Sequence, residues 1–111
     1  MAIAVINPTT GATERTLEPH DADEIERRVA AAHAAAQALR GETYAQRAAW
    51  MRAAADLLEG EAEDVAVMIT REMGKPIAQS RAEAHKCVKN MRFYADNAQT
   101  FRADEPLDDP S

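Results

Sequence analysis

From Asp21 to Phe101 the apolar residues recur at helical spacing, and glycines at 41, 60 and 74 cut the pattern into four lengths. This periodicity is the strongest constraint on the fold, because each length can bury one stripe only as a helix. Ile25, Val29, Ala32, Ala36 and Leu39 follow one another at spacings of four, three, four and three. Asp21 stands where an N-cap belongs, with Glu24 three residues on, and Thr43 and Gln46 repeat that capping spacing for the second length. There, Ala48, Met51, Ala55 and Leu58 lie beside Trp50, Ala54 and Leu57, a wide apolar face expected to be well buried. Val65, Met68, Ile69 and Met73 mark a third, shorter helix. Ile77, Ala84, Val88, Met91, Ala95 and Ala98 stripe a fourth, flanked by Cys87, Tyr94 and Phe101. The expected helices are 21–40, 43–59, 61–73 and 76–101.

Upstream, Ala2 to Ile6 is β-prone, and Asn7-Pro8-Thr9-Thr10-Gly11 breaks it with turn chemistry, so Thr13 to Leu17 can return as a second strand. The fold class is therefore mostly α, about four helices with a small N-terminal β-hairpin. The divisions are 1–18 for the hairpin, 19–102 for the helical layer and 103–111 for an acidic tail. Hydrophobic residues make up 46% of the chain, but only five of them are Phe, Tyr or Trp and many are Ala. A thin core under closely packed helices is expected.

A net charge of -6 argues against a nucleic-acid or anionic-membrane surface. Much of it is local: Asp104, Glu105, Asp108 and Asp109 follow Arg102 without a base among them, as in a solvated, disordered end. One cysteine, Cys87, excludes an internal disulfide and fits a reducing compartment. With no signal-peptide pattern at the start and no membrane-length apolar run, the reading is cytoplasmic.

The Gly74-Lys75 pair tests whether the chain binds a phosphate. A phosphate loop needs a glycine five residues earlier and a Ser or Thr after the lysine. Ile69 and Pro76 occupy those places, and Pro76 also lacks the N–H that would grip an anion. Gly74 as a C′ residue and Pro76 as an N1 residue explain the segment as one helix stopping and another starting. Cys87 has Lys86 and Lys89 nearby, which favours a thiolate, but its place beside the apolar stripe reads as a buried structural thiol. His85, two positions away on a helix, faces nearly the opposite side. His20 and His33 are isolated, and Glu61, Glu63, Asp64, Asp108 and Asp109 sit in helix-start or tail contexts. No catalytic, cofactor-binding or metal-binding residue is assigned.

Taken together, "INPTTGATERT", "YAQRAAWMRAAADLLE", "ITREMGKPIAQSRAEAHKCVKNMRFYADNA" and "FRADEP" resemble, in that order, the N-terminus of an aldehyde dehydrogenase. The markers are the Asn7-Pro8-x-x-Gly11 turn, Gln46-Arg47-Ala48, and Glu72-x-Gly74-Lys75-Pro76 followed by Glu83. Within the family the chain is most similar to bacterial NAD(P)-dependent succinate-semialdehyde dehydrogenases. The resemblance implies a parent enzyme that oxidises succinate semialdehyde to succinate with NAD or NADP. It also implies that this segment is a helical support for the cofactor domain, with positions near Lys86 to Asn90 bordering a substrate tunnel. The family's nucleophile (Gly-Gln-x-Cys), base (Glu-x-Gly-Gly) and asparagine (Pro-Trp-Asn) motifs do not occur here. Cys87, Asn90 and Asn97 stand outside those contexts. The expectation is an N-terminal scaffold fragment, inactive by itself and binding no cofactor. The rival is a free-standing helical interaction module that binds a protein partner. Self-association is expected through exposed helical faces, those of Trp50, Met51, Leu57 and Leu58 and of Val88, Met91 and Tyr94.

Overall fold

The hairpin forms because its turn satisfies itself. In the computed structural model, which describes residues 2–107, β1 (Ile3–Ile6) pairs antiparallel with β2 (Thr13–Leu17). The Asn7 side-chain oxygen accepts from the N–H groups of Thr9 (2.9 Å) and Thr10 (3.3 Å), and its amide donates to Glu14. Gly11 supplies the positive φ of 73° that closes the turn. Partners run from Ile3 opposite Leu17 to Ile6 opposite Thr13, with a bulge between Val5 and Ile6.

Four helices follow: α1 (Ala22–Arg40), α2 (Tyr44–Gly60), α3 (Ala62–Met73) and α4 (Ile77–Phe101). Asp21 and Thr43 cap as their spacing predicts, accepting from the N–H groups of Glu24 (2.8 Å) and Gln46 (3.1 Å). The three glycines act differently from one another. Gly74 takes the left-handed conformation, φ 71°, and is a true helix stop. Gly41 ends α1 in the right-handed region, its N–H turning back to Ala38. Gly60 is the last residue of α2, and Glu61 serves as the cap between α2 and α3. Pro76 is the N-cap of α4 rather than its first helical residue, its carbonyl accepting from Gln79 and Ser80.

The core lies where α4 crosses α2 and α3, the two main helix contacts. It consists of Ala48 and Ala55 from α2, Ala62 and Ala66 from α3, and Ser80, Ala84 and Val88 from α4. Small side chains let these helices approach closely, and the thin core expected from the composition is what forms. Ser80 replaces a hydrophobe in the stripe because its hydroxyl is satisfied, meeting Thr70 Oγ1 at 3.1 Å.

Two expectations fail, for one reason. The wide face of α2 is not well buried: Trp50 is 48% and Leu57 68% exposed. Cys87 is exposed as well. Both flank the narrow alanine seam through which α2 and α4 meet, and among the described residues nothing covers the flanks. No residue of α1 is buried. A hydrogen bond from Arg47 to the Leu39 carbonyl ties its end to α2. The Cα radius of gyration is 20.0 Å, against about 13 Å for a compact chain of this length. The molecule is a three-helix layer with a projecting α1 and a hairpin held at one corner. That hold consists of Pro8 against Gly74 and Arg15 paired with Glu72 at 3.2 Å. Residues 103–107 follow α4 exposed and without regular structure. The remainder of the expected acidic tail, with Asp108 and Asp109, lies outside the described residues.

Ion pairs fix how the helices sit on one another. Arg92 of α4 holds Asp56 and Glu59 of α2, each at 2.7 Å, and Arg81 holds Glu63 of α3 at 2.6 Å. Arg52 meets Asp96 at 2.6 Å. Such exposed pairs set register more than stability. The hydrogen bond from Arg92 lowers the Glu59 carboxyl below its usual range, and that from Arg81 does the same for Glu63. A lowered carboxylate stabilises the fold above its unfolded value, about 4.3 for glutamate, and loses that contribution as pH falls through the folded value. Thermal melts are therefore expected to shift downward on acidification below that range. In Arg92→Met the α2 share of the shift should be absent, so its melt should fall less steeply with pH.

Candidate docking surface

The residues singled out for chemistry are dispersed. Lys75 pairs with Glu83, which pulls the Glu83 carboxyl down, and Glu24 is held low by Arg27 and then Arg28. Arg27 and Arg28 both meet the same Glu24 carboxylate, each at 2.7 Å. Glu63 is taken by Arg81, and Asn97 donates to the Phe93 carbonyl. His20, His33, His85, Lys86, Cys87, Lys89 and Asn90 are exposed. Among the described residues no three His, Cys, Asp or Glu side chains gather as a metal site.

The surface instead carries apolar faces without cover. Trp50, Leu57, Phe93 and Tyr94 are each about half exposed or more, and Phe93 meets Tyr94 edge-to-face and Phe101 at a tilt, with centroids 5.4 and 5.8 Å away. Between the start of α2 and the end of α4 lies a cleft of about 540 Å³, walled by Tyr44, Arg47, Met51, Arg52, Tyr94 and Arg102. Arg47, marked in the sequence only as part of Gln46-Arg47-Ala48, joins two elements. It donates to Leu39 of α1, while its buried Nε has no partner. A basic residue in the first turn after a helix-ending Gly41 is the signal for it, since it can reach the carbonyls left open there.

This geometry defines a helical layer whose helices are tied by arginine–carboxylate pairs and whose apolar faces are open among the described residues. A match to the Aldehyde dehydrogenase family covers residues 1–109. The chain belongs to the aldehyde dehydrogenase family. It is 49% identical over 108 residues to succinate-semialdehyde dehydrogenase (NADP(+)) 1 of Mycobacterium tuberculosis, covering 97% of this chain and 24% of that protein. It is 47% identical to the NADP(+) succinate-semialdehyde dehydrogenase of Mycobacterium leprae, with the same coverage. Among solved structures, it superposes with a TM-score of 0.90 on the Streptococcus pyogenes succinic semialdehyde dehydrogenase in complex with NADP+. The identity there is 25%, over 97% of this chain and 24% of that one. The Burkholderia pseudomallei succinate-semialdehyde dehydrogenase gives 0.84 at 30% identity, over 98% and 23%. The chain thus spans about a quarter of the relatives it matches, and what it matches is their N-terminal region.

The two positive-φ glycine turns do not fit the phosphates of a dinucleotide. The helix terminus beside Gly74 begins behind Pro76, which has no N–H to give, and the Lys75 ammonium is engaged by Glu83. The other positive-φ glycine, Gly11, belongs to the hairpin turn.

Proposed function

We propose that this chain is the N-terminal support layer of an NADP-dependent succinate-semialdehyde dehydrogenase. In this reading the whole protein converts succinate semialdehyde to succinate, and this segment contributes packing rather than catalysis. One observation carries the reading: a fold shared with chains four times longer leaves the α2 and α4 flanks around Trp50, Leu57 and Tyr94 open. Their cover is the remaining polypeptide. Burying faces of this kind is worth about 25 cal/mol per Å² of apolar area, which suits permanent attachment.

Mixing this chain with the later three quarters of the Mycobacterium tuberculosis relative tests it. Association should shift Trp50 fluorescence to the blue and restore NADP reduction by succinate semialdehyde, whereas the chain alone should give neither turnover nor calorimetric binding of NADP. Failure to associate overturns the reading. So does turnover by this chain alone that disappears in Cys87→Ser. A second reading, a helical module that self-associates through its exposed faces, is favoured by the absence of any buried residue in α1.

A further inference from the structure

The cleft between the start of α2 and the end of α4 has an unbalanced wall. Three arginines line it, Arg47, Arg52 and Arg102, against one carboxylate, Asp96. Asp96 is spent on Arg52 at 2.6 Å. Among the described residues neither Arg47 nor Arg102 enters an ion pair, so the cleft keeps two uncompensated positive charges in a chain of net charge -6. Arg47 is the more constrained of the two. Its Nη2 donates to the Leu39 carbonyl, and its Nε is shut off from solvent without a partner. Around it the wall offers aromatic and apolar surface: Tyr44 is 40%, Met51 40% and Tyr94 56% exposed.

We propose, building on the support-layer reading, that the polypeptide covering this cleft in the complete enzyme presents an aspartate or glutamate side chain to the Arg47 guanidinium. The chain spans about a quarter of its relatives, so the cover belongs to the remaining polypeptide. Seating that cover on Tyr44, Met51 and Tyr94 expels the water that solvates the two free guanidiniums. A lysine so covered can release its proton and become neutral. An arginine stays charged, because its pKa lies above about 12. An opposite charge is then the least costly neighbour, since a covered ion without a partner costs far more than a paired one. A main-chain carbonyl already serves Arg47 from Leu39, and it leaves the net charge where it was. A carboxylate removes that charge and can accept two parallel N–H bonds from one guanidinium. Arg102, at the end of α4, adds attraction for the same carboxylate from the other side of the cleft.

Thermal melting of this chain joined, as one polypeptide, to the later three quarters of the Mycobacterium tuberculosis relative tests it, with Arg47→Lys and Arg47→Gln beside the parent. Both replacements can still donate a hydrogen bond, and only lysine keeps the charge. In the joined protein Arg47→Gln is expected to melt several degrees below Arg47→Lys, because it leaves a covered carboxylate unpaired. In the 111-residue chain by itself, where the cleft is open, the two should melt alike. Arg102→Gln and Arg102→Lys should follow the same order in the joined protein by a smaller margin. NADP reduction by succinate semialdehyde keeps the two readings apart. A joined protein that turns over, but in which Arg47→Gln melts with or above Arg47→Lys, overturns the carboxylate and leaves the support layer standing. So does a gap between the two variants that is equally wide in the lone chain, since charge would then matter without any cover. A joined protein that neither folds nor turns over overturns both.

Discussion

Ala55→Leu is expected to lower the stability of the chain by about 1–3 kcal/mol, while Ala53→Leu, two residues away, leaves it nearly unchanged. Ala55 is wholly inaccessible and Ala53 exposed. Alanine and leucine have similar helix propensity, so the contrast isolates packing. Ala55 belongs to the small-residue core where α2 meets α4, in which the largest fully buried side chain is Ser80. Three extra carbons fit there only if the helices separate, and separation also strains the Arg92 bridge to Asp56 and Glu59. For a domain of about 100 residues, each kcal/mol moves the melting temperature by about 4–8 °C. Thermal circular dichroism of the two variants beside the parent reads the difference. Equal melts would mean that the seam is loosely packed.

Substituting alanine at two glycines should give effects of opposite sign. Gly74 holds φ at 71°, and a Cβ there would meet Pro8 Cγ at 3.0 Å. Gly74→Ala is therefore expected to cost about 1–2 kcal/mol for the left-handed backbone, and it also pushes on the hairpin. Gly60 ends α2 with right-handed geometry, and a Cβ there meets nothing within 4 Å. Gly60→Ala should stabilise by about 0.4–1 kcal/mol, through the unfolded chain. Urea titrations of both variants decide it. Destabilisation by Gly60→Ala would show that its backbone needs the freedom of glycine.

What the sequence made legible was local. Asp21, Thr43 and the Asn7 turn each act on an N–H within three residues, so their geometry is written in adjacent letters. The segment around Gly74 and Pro76 was legible for the same reason. Burial was less so, because periodicity says that a face is apolar but not which part of it meets a neighbour. The alanines of α2 met α4, and Trp50 and Leu57 did not. Cys87 sits one step off the same seam, which is why it is exposed. Ser80 was missed in the stripe because its partner, Thr70, lies ten residues away on another helix. The contact of Arg47 with α1 was missed because its acceptor is a backbone carbonyl, which side-chain pattern does not record.

The hold of the hairpin on the end of α3 also orders events along the folding path. Arg15 and Glu72 are 57 residues apart in the chain, whereas Arg81 and Glu63 are separated by 18 and Arg92 and Glu59 by 33. Closing a loop costs more entropy the longer it is, and non-local contacts come at the slow end of folding. The α3–α4 pair is therefore expected to form first, α2 to join it, and the hairpin to dock last, closing a loop that carries α1 with it. In reverse, the hairpin is expected to be the first unit to lift away, and hydrogen exchange should find its amides less protected than those of the three-helix layer.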